Sequence, residues 1–190
     1  YNPANTFANR DPRHNYIIRN PQGTDWPGHY TYDFYDVTGV QNRKYVDPEI
    51  PGDYANNFRQ DWDYILIRYA DILLMYAEAK NEISGPDQDV YNAINAVRQR
   101  TSVNMPPVDQ ARYNTQEKLR AYIRHERFVE FPMEGIRYFD LKRWHIAHIE
   151  IPKQSNLSGV PYVFEEKHYL WPFSQFEMDA NPNLVQTGGY

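Results

Sequence analysis

Residues 126–144 read Glu126-Arg127-Phe128-Val129-Glu130-Phe131-Pro132-Met133-Glu134-Gly135-Ile136-Arg137-Tyr138-Phe139-Asp140-Leu141-Lys142-Arg143-Trp144. Charges are threaded through an apolar, aromatic stretch. Glu126, Glu130 and Glu134 recur every four residues, and Arg137, Asp140 and Arg143 then recur every three. The spacing predicts a helix whose face already carries Leu119, Tyr122 and Ile123, so Glu126 and Glu130 point toward the same interior. A carboxylate on a buried face is costly unless a cation pairs with it. Arginines must therefore reach inward, and Arg68, Arg98, Arg100, Arg127, Arg137 and Arg143 are the candidates. The reading is an ion-pair network of Arg68, Arg98, Glu126, Glu130, Arg137, Asp140 and Arg143 that fixes how helices pack.

Working outward, a strong helical period covers Arg68 to Ile83, with a core stripe of Tyr69, Ile72, Leu73, Tyr76 and Ala77 widened by Ala70 and Leu74. Gly85 is placed as its C-terminal cap and Asp87 as the N-cap of the next helix, about Asp87 to Arg100, which presents Val90, Ala93, Ile94 and Val97. The two make a 33-residue antiparallel pair of tetratricopeptide-like size, a unit that needs neighbours to bury its faces. Thr115 caps a third helix reaching about Phe131, Pro132 to Gly135 turn the chain, and a fourth helix runs from about Ile136 to His145. Tyr16 to Arg19, Gly159 to Phe164 and Tyr169 to Phe173 read as short β-like runs. From Thr24 to Trp62 no period is sustained, and irregular segments of that length are often functional. The expectation is one mainly α domain, α+β at most, over residues 1–190: an aromatic loop-rich segment (1–62), a helical core (63–148) and a loop and short-strand tail (149–190).

These segments resemble the RagB/SusD family of outer-membrane glycan-binding lipoproteins. The family run E-R-x-x-E-x-x-x-E-G-x-R-x-x-D-L-x-R-W is matched by Glu126, Arg127, Glu130, Glu134, Gly135, Arg137, Asp140, Leu141, Arg143 and Trp144. Arg68 to Glu82 is similar to its R-x-A-E-x-L-L-M-Y-A-E-A helix, with Asp71 where glutamate is usual. Asn9 to Arg13, Asn95 to Arg100 and Asn181 to Leu184 match further motifs. Where the family commonly has Pro-Ile-Pro and Asn-Pro-Gly-Tyr, this chain has Pro172-Phe173-Ser174 and Thr187-Gly188-Gly189-Tyr190, departures that touch local loops. The resemblance implies a SusD-like fold, with the charged motif as scaffold. It also implies a surface protein of the bacterial outer membrane that captures oligosaccharide and delivers it to a TonB-dependent SusC-like transporter. Family members are about twice as long or more, so the chain is expected to be a C-terminal portion, with the lipid-bearing cysteine and the signal peptide in the absent part.

Composition narrows the alternatives. A formal charge of −5 and a pI near 5.7 argue against nucleic acid or an anionic bilayer as main partner. With no cysteine, disulfides and thiolate metal sites are excluded, and apolar runs broken by Arg68 and Asp71 cannot span a bilayer. The outlier is aromatic content: 17 Tyr, 9 Phe and 4 Trp in a chain of mean hydropathy −0.82. Trp26, Tyr30, Tyr32 and Tyr35 alternate with Asp25, His29, Thr31, Asp33 and Asp36, the pairing of ring faces and polar rims that sugars match. They are the candidate ligand-binding residues. Phe34, Phe58 and Trp62 are read as loop seals, and Trp144, Trp171 and the tail 186–190 as packing.

Catalytic readings are weaker. Glutamates four apart on one helix do not flank a sugar ring, and surplus arginines keep both ionised, which removes a general acid. No nucleophile-elbow or phosphate-loop pattern occurs. His145, His148 and Glu150 have a metal-like spacing but no third ligand at diagnostic distance, so they are read as a helix-end pair and neither metal nor cofactor is expected. Two other readings stay open: a glycoside hydrolase-type enzyme, and a helical-repeat protein-interaction module built on Arg68–Arg100.

Overall fold

Three helices of this chain begin where a short polar side chain takes up a free backbone N–H group. Asp87 accepts from Val90 N–H at 2.9 Å, Thr115 from Lys118 N–H at 3.3 Å and Ser174 from Glu177 N–H at 3.3 Å. The computed structural model describes residues 10–19, 41, 42, 44, 63–156 and 159–190, and is mainly helical there. In chain order its elements are α1 (His14–Ile17), β1 (Ile18–Arg19), β2 (Gln41–Asn42), α2 (Tyr69–Ser84), α3 (Gln88–Arg98), α4 (Gln116–Glu130), α5 (Ile136–Arg143), α6 (Ala147–Glu150) and α7 (Gln175–Ala180). Tight 3-10 turns lie at Ile151–Lys153 and Glu166–Tyr169. The residues group into two compact units, one up to Glu134 and one from Gly135 onward.

In the first unit, α2 packs on α3 and α4. Leu74 and Ala77 from α2, Val90, Ala93, Ile94 and Val97 from α3, and Leu119 and Ile123 from α4 are all buried. The end of α2 and the start of α4 are clamped reciprocally: Asn81 Nδ2 donates to Gln116 O at 3.1 Å and Gln116 Nε2 to Asn81 O at 2.8 Å. The expected stripe on α2 is rotated. Its buried positions are Asp71, Leu74, Ala77 and Asn81, whereas Tyr69, Ile72 and Tyr76 are exposed. The cause is Asp71, which accepts from buried Arg127 at 2.8 Å and so turns its own side of the helix inward. The β-like run at Tyr16 to Arg19 is shorter than expected. Asp11 accepts from His14 N–H and starts a turn that becomes α1, leaving only Ile18 and Arg19 to pair antiparallel with Asn42 and Gln41.

In the second unit, Leu141, Ala147 and Phe164 form a small core joined by Ile146, Ile151 and Tyr169. Helix α5 stops at Arg143, two residues before the expected end. His145 takes the left-handed conformation at φ 53°, with its N–H bonded to Lys142 O and that of Ile146 to Leu141 O. That bond pair is the Schellman ending, a position where glycine is usual. The expected β-like runs of the tail are one isolated bridge, Ser155 with Pro161, followed by the Glu166–Tyr169 turn and α7. Pro161 and Pro172 offer no N–H to a ladder, which accounts for the failure of longer pairing.

Candidate functional site

The glutamates of α4 lie one turn apart on its inward face, and the chain brings cations to them from distant segments. Glu126 is fully buried; its Oε1 accepts from Arg13 at 2.6 Å and its Oε2 from Arg98 at 2.7 Å. One turn on, Glu130 accepts from Arg13 at 2.9 Å through Oε2, and from Arg68 at 2.5 Å and Arg100 at 2.8 Å through Oε1. Arg68 also donates to the Glu130 carbonyl at 2.8 Å and grips Glu134 with two bonds of 2.9 Å. Lys44 completes Glu134 and donates to Pro132 O at 3.2 Å. Arg13 is itself held by a bidentate fork on Asp11, at 2.9 and 2.6 Å. Phe131 lies beneath the guanidinium groups of Arg68 and Arg127, 4.4 and 5.1 Å from its ring centre.

Electrostatics follow from this geometry. Burial alone would raise the Glu130 carboxyl, but hydrogen bonds from Arg13, Arg100 and Arg68 outweigh it and hold the group below its ordinary value. Burial likewise opposes the ionisation of Asp11, but hydrogen bonds and charge from Arg13 outweigh it and hold that group low as well. The guanidinium groups of Arg13 and Arg68 are raised despite burial by their carboxylate partners. Tyr122, on the same helix, is pushed up to about 12, chiefly by burial. Glu130 is thus locked as an acceptor and cannot act as a general acid near neutral pH. Beside the network a recess of about 400 Å³ opens, lined by Tyr16, Ile17, Ile65, Val103 and the paired Lys44 and Arg100.

Of the residues read as a network, Arg68, Arg98, Glu126 and Glu130 meet in the first unit. Arg137, Asp140 and Arg143 lie in the second, where Arg143 Nε donates to Asp140 Oδ1 at 2.8 Å. There burial lowers the Arg137 guanidinium against the pull of Glu150 and Asp140. Arg13, Lys44 and Asp11 were not anticipated as members. Arg13 lies 113 residues from Glu126, and the sequence signal that marks it is the Asn9–Arg13 motif. Trp26, Tyr30, Tyr32 and Tyr35 lie outside the described residues, as do Phe34, Phe58 and Trp62. Trp144 packs between Arg137 and Arg143, at 6.0 and 4.8 Å. Trp171 is not a packing residue: it is 72% exposed, like its neighbours Pro172 and Phe173 on the surface, and Lys142 Nζ approaches its ring at 5.4 Å.

The SusD family model matches residues 1–190, the whole chain. The chain belongs to the SusD family. A SusD-like carbohydrate-binding protein of Bacteroides fragilis has a crystal structure that superposes on 97% of this SusD-family chain at TM-score 0.75 and 30% identity, covering 43% of that protein. Another SusD-like protein of the same species covers 81% at TM-score 0.66 and 27% identity, over 31% of its own length. In sequence, SusD-like proteins P2 and P38 of Formosa agariphila are 34% and 32% identical across 72% and 68% of the chain. The chain spans only 28% and 25% of those two relatives. Among its described residues no helix is long and apolar enough to cross a membrane.

Proposed function

We propose that this chain is the scaffold-bearing portion of a non-enzymatic surface protein that captures oligosaccharide at the bacterial outer membrane. The whole protein, held there by a lipid anchor, passes its cargo to a TonB-dependent SusC-like transporter. The observation that carries this reading is the saturation of the motif carboxylates. Glu126, Glu130 and Glu134 each accept from at least two cationic side chains, so the most distinctive residues are occupied in holding segments together. The similarity to a carbohydrate-binding SusD-like structure across nearly the whole chain supports the same reading. A glycosidase needs one protonated and one ionised carboxyl across a cleft, whereas here Glu126 and Glu130 sit one turn apart on one helix and Glu130 is held below its ordinary value by guanidinium groups.

Recognition then rests on rings stacking against sugar faces, with no covalent bond made or broken. Trp26, Tyr30, Tyr32 and Tyr35 are the proposed platforms. Affinity should be modest, about −4 to −8 kcal/mol, or millimolar to micromolar. Isothermal titration of the folded protein against plant, host and microbial glycans tests the reading. Saturable binding weakened by Trp26→Ala or Tyr32→Ala supports it; silence across the panel, or release of reducing ends on incubation, overturns it.

A further inference from the structure

The histidine pair at the end of α5 acquires in three dimensions the ligand that its sequence neighbourhood lacks. Glu150, the nearest acid in the sequence, is occupied by Lys153 at 2.5 Å. Glu166, from the tight turn sixteen residues further on, comes instead to 3.2 Å from His145 Nε2. One ligating atom from each of His145, His148 and Glu166 lies within 4.8 Å of the other two, all in the second unit. We propose that these three side chains form a site for a divalent transition metal of the zinc class.

Four features carry the assignment. First, the spacing is right: around a tetrahedral ion with bonds of about 2.0–2.1 Å, neighbouring donor atoms stand about 3.3 Å apart. The His145–Glu166 contact already has that value. The three side chains are exposed, so the remaining separation, at most 4.8 Å, falls on groups at the surface. Second, His145 stands where the Schellman ending favours glycine, at φ 53°. A β-carbon there is tolerated at some cost, and it aims an imidazole across the chain reversal toward Glu166 and His148.

Third, the site has an outer layer. Tyr169 stacks on the His145 ring with centres 4.1 Å apart and planes at 21°. Its hydroxyl lies 2.6 Å from His148 Nδ1 and accepts from His148 N–H at 3.2 Å. Were the phenol oxygen to accept from Nδ1–H as well, His148 would keep its Nε2 lone pair free for a metal, the second-layer arrangement usual for ligating histidines. Fourth, the donor set is selective. Two imidazoles and one carboxylate suit zinc, nickel, cobalt or copper, whereas calcium and magnesium demand oxygen donors throughout. Three protein ligands leave coordination positions for water. Occupancy would tie the Glu166–Tyr169 turn to the α5–α6 corner, making the ion a local staple.

The test is titration of tag-free, chelator-treated chain with zinc chloride in a non-coordinating buffer. One ion per chain should bind with micromolar affinity. His145→Ala and His148→Ala should each weaken it at least tenfold, Glu166→Gln about tenfold, and Tyr169→Phe by a smaller factor, as outer-layer partners of ligating histidines do. His125→Ala and His168→Ala should leave it unchanged. Should a ligand variant fail to fold, nitrogen-15 spectra of the unaltered chain decide: zinc must shift the Nε2 resonances of His145 and His148 and leave that of His125 in place. No saturable binding at millimolar zinc overturns the assignment. So does binding that survives loss of both histidines, or one abolished by His168→Ala.

Discussion

Glu130 takes guanidinium contacts from three separated parts of the chain: Arg13, Arg68 and Arg100. A neutral isostere would leave these cations gathered around a group that no longer balances them. Glu130→Gln should cost about 3–5 kcal/mol, seen as a fall in the urea midpoint without loss of α-helical circular dichroism at zero denaturant. The control is Glu82→Gln, which breaks an exposed pair with Arg120 at 2.6 Å and should cost under about 1 kcal/mol. The pH response has a definite sign. Glu130 and Asp11 are both held below their ordinary values of 4.5 and 3.8, so in the unfolded chain they bind protons first as pH falls. Their contribution is complete above those values, shrinks as pH drops below them and vanishes once the folded groups protonate. Urea midpoints should therefore change little between pH 7 and 5.5 and decline steeply below about 4, the decline being smaller in Glu130→Gln.

At the scale of elements, α2 separates what periodicity can read from what it cannot. Leu74 is fully buried and Ile72 is 45% exposed, although both sat in the apolar stripe expected from spacing. Leu74→Ala should cost about 2–5 kcal/mol and Ile72→Ser within about 0.5 kcal/mol, read from thermal or urea unfolding. Equal costs would restore the unrotated stripe. The caps at Asp87 and Thr115 and the extents of α3 and α4 were legible, because a polar acceptor before an apolar period is a local signal. The rotation of α2 was not, since it depends on Asp71 meeting Arg127 across 56 residues. The inward aim of Glu126 and Glu130 could be read from shared periodicity with Leu119 and Ile123, but their partners could not. Nothing local tells Arg13, with an acid two residues away, to reach α4 as well. Glu166 escaped notice for the same reason, and the tail was over-read as strand because β-branched and aromatic residues there outnumbered the prolines that interrupt them.

For the whole molecule, net charge and the ionic network make separate predictions. At −5 the chain should show no measurable association with duplex DNA or anionic vesicles at 150 mM salt by fluorescence anisotropy or co-sedimentation. Because Glu126 and Glu130 are shielded from solvent, raising sodium chloride from 0.1 to 1 M should shift the urea midpoint far less than for a surface-paired protein. The network also has an order in time. Arg13 is synthesised 117 residues before Glu130, and Arg68, Arg98 and Arg100 likewise precede the acids they need. A nascent polypeptide that has left the ribosome only as far as Tyr113 has none of the α4 carboxylates that Arg13, Arg68, Arg98 and Arg100 pair with. Closure of the first unit must therefore await its last helix, and a prematurely ended product should be open to proteases where the finished one resists them. Cations placed early in the chain are thus left without their α4 partners in any product that stops before that helix.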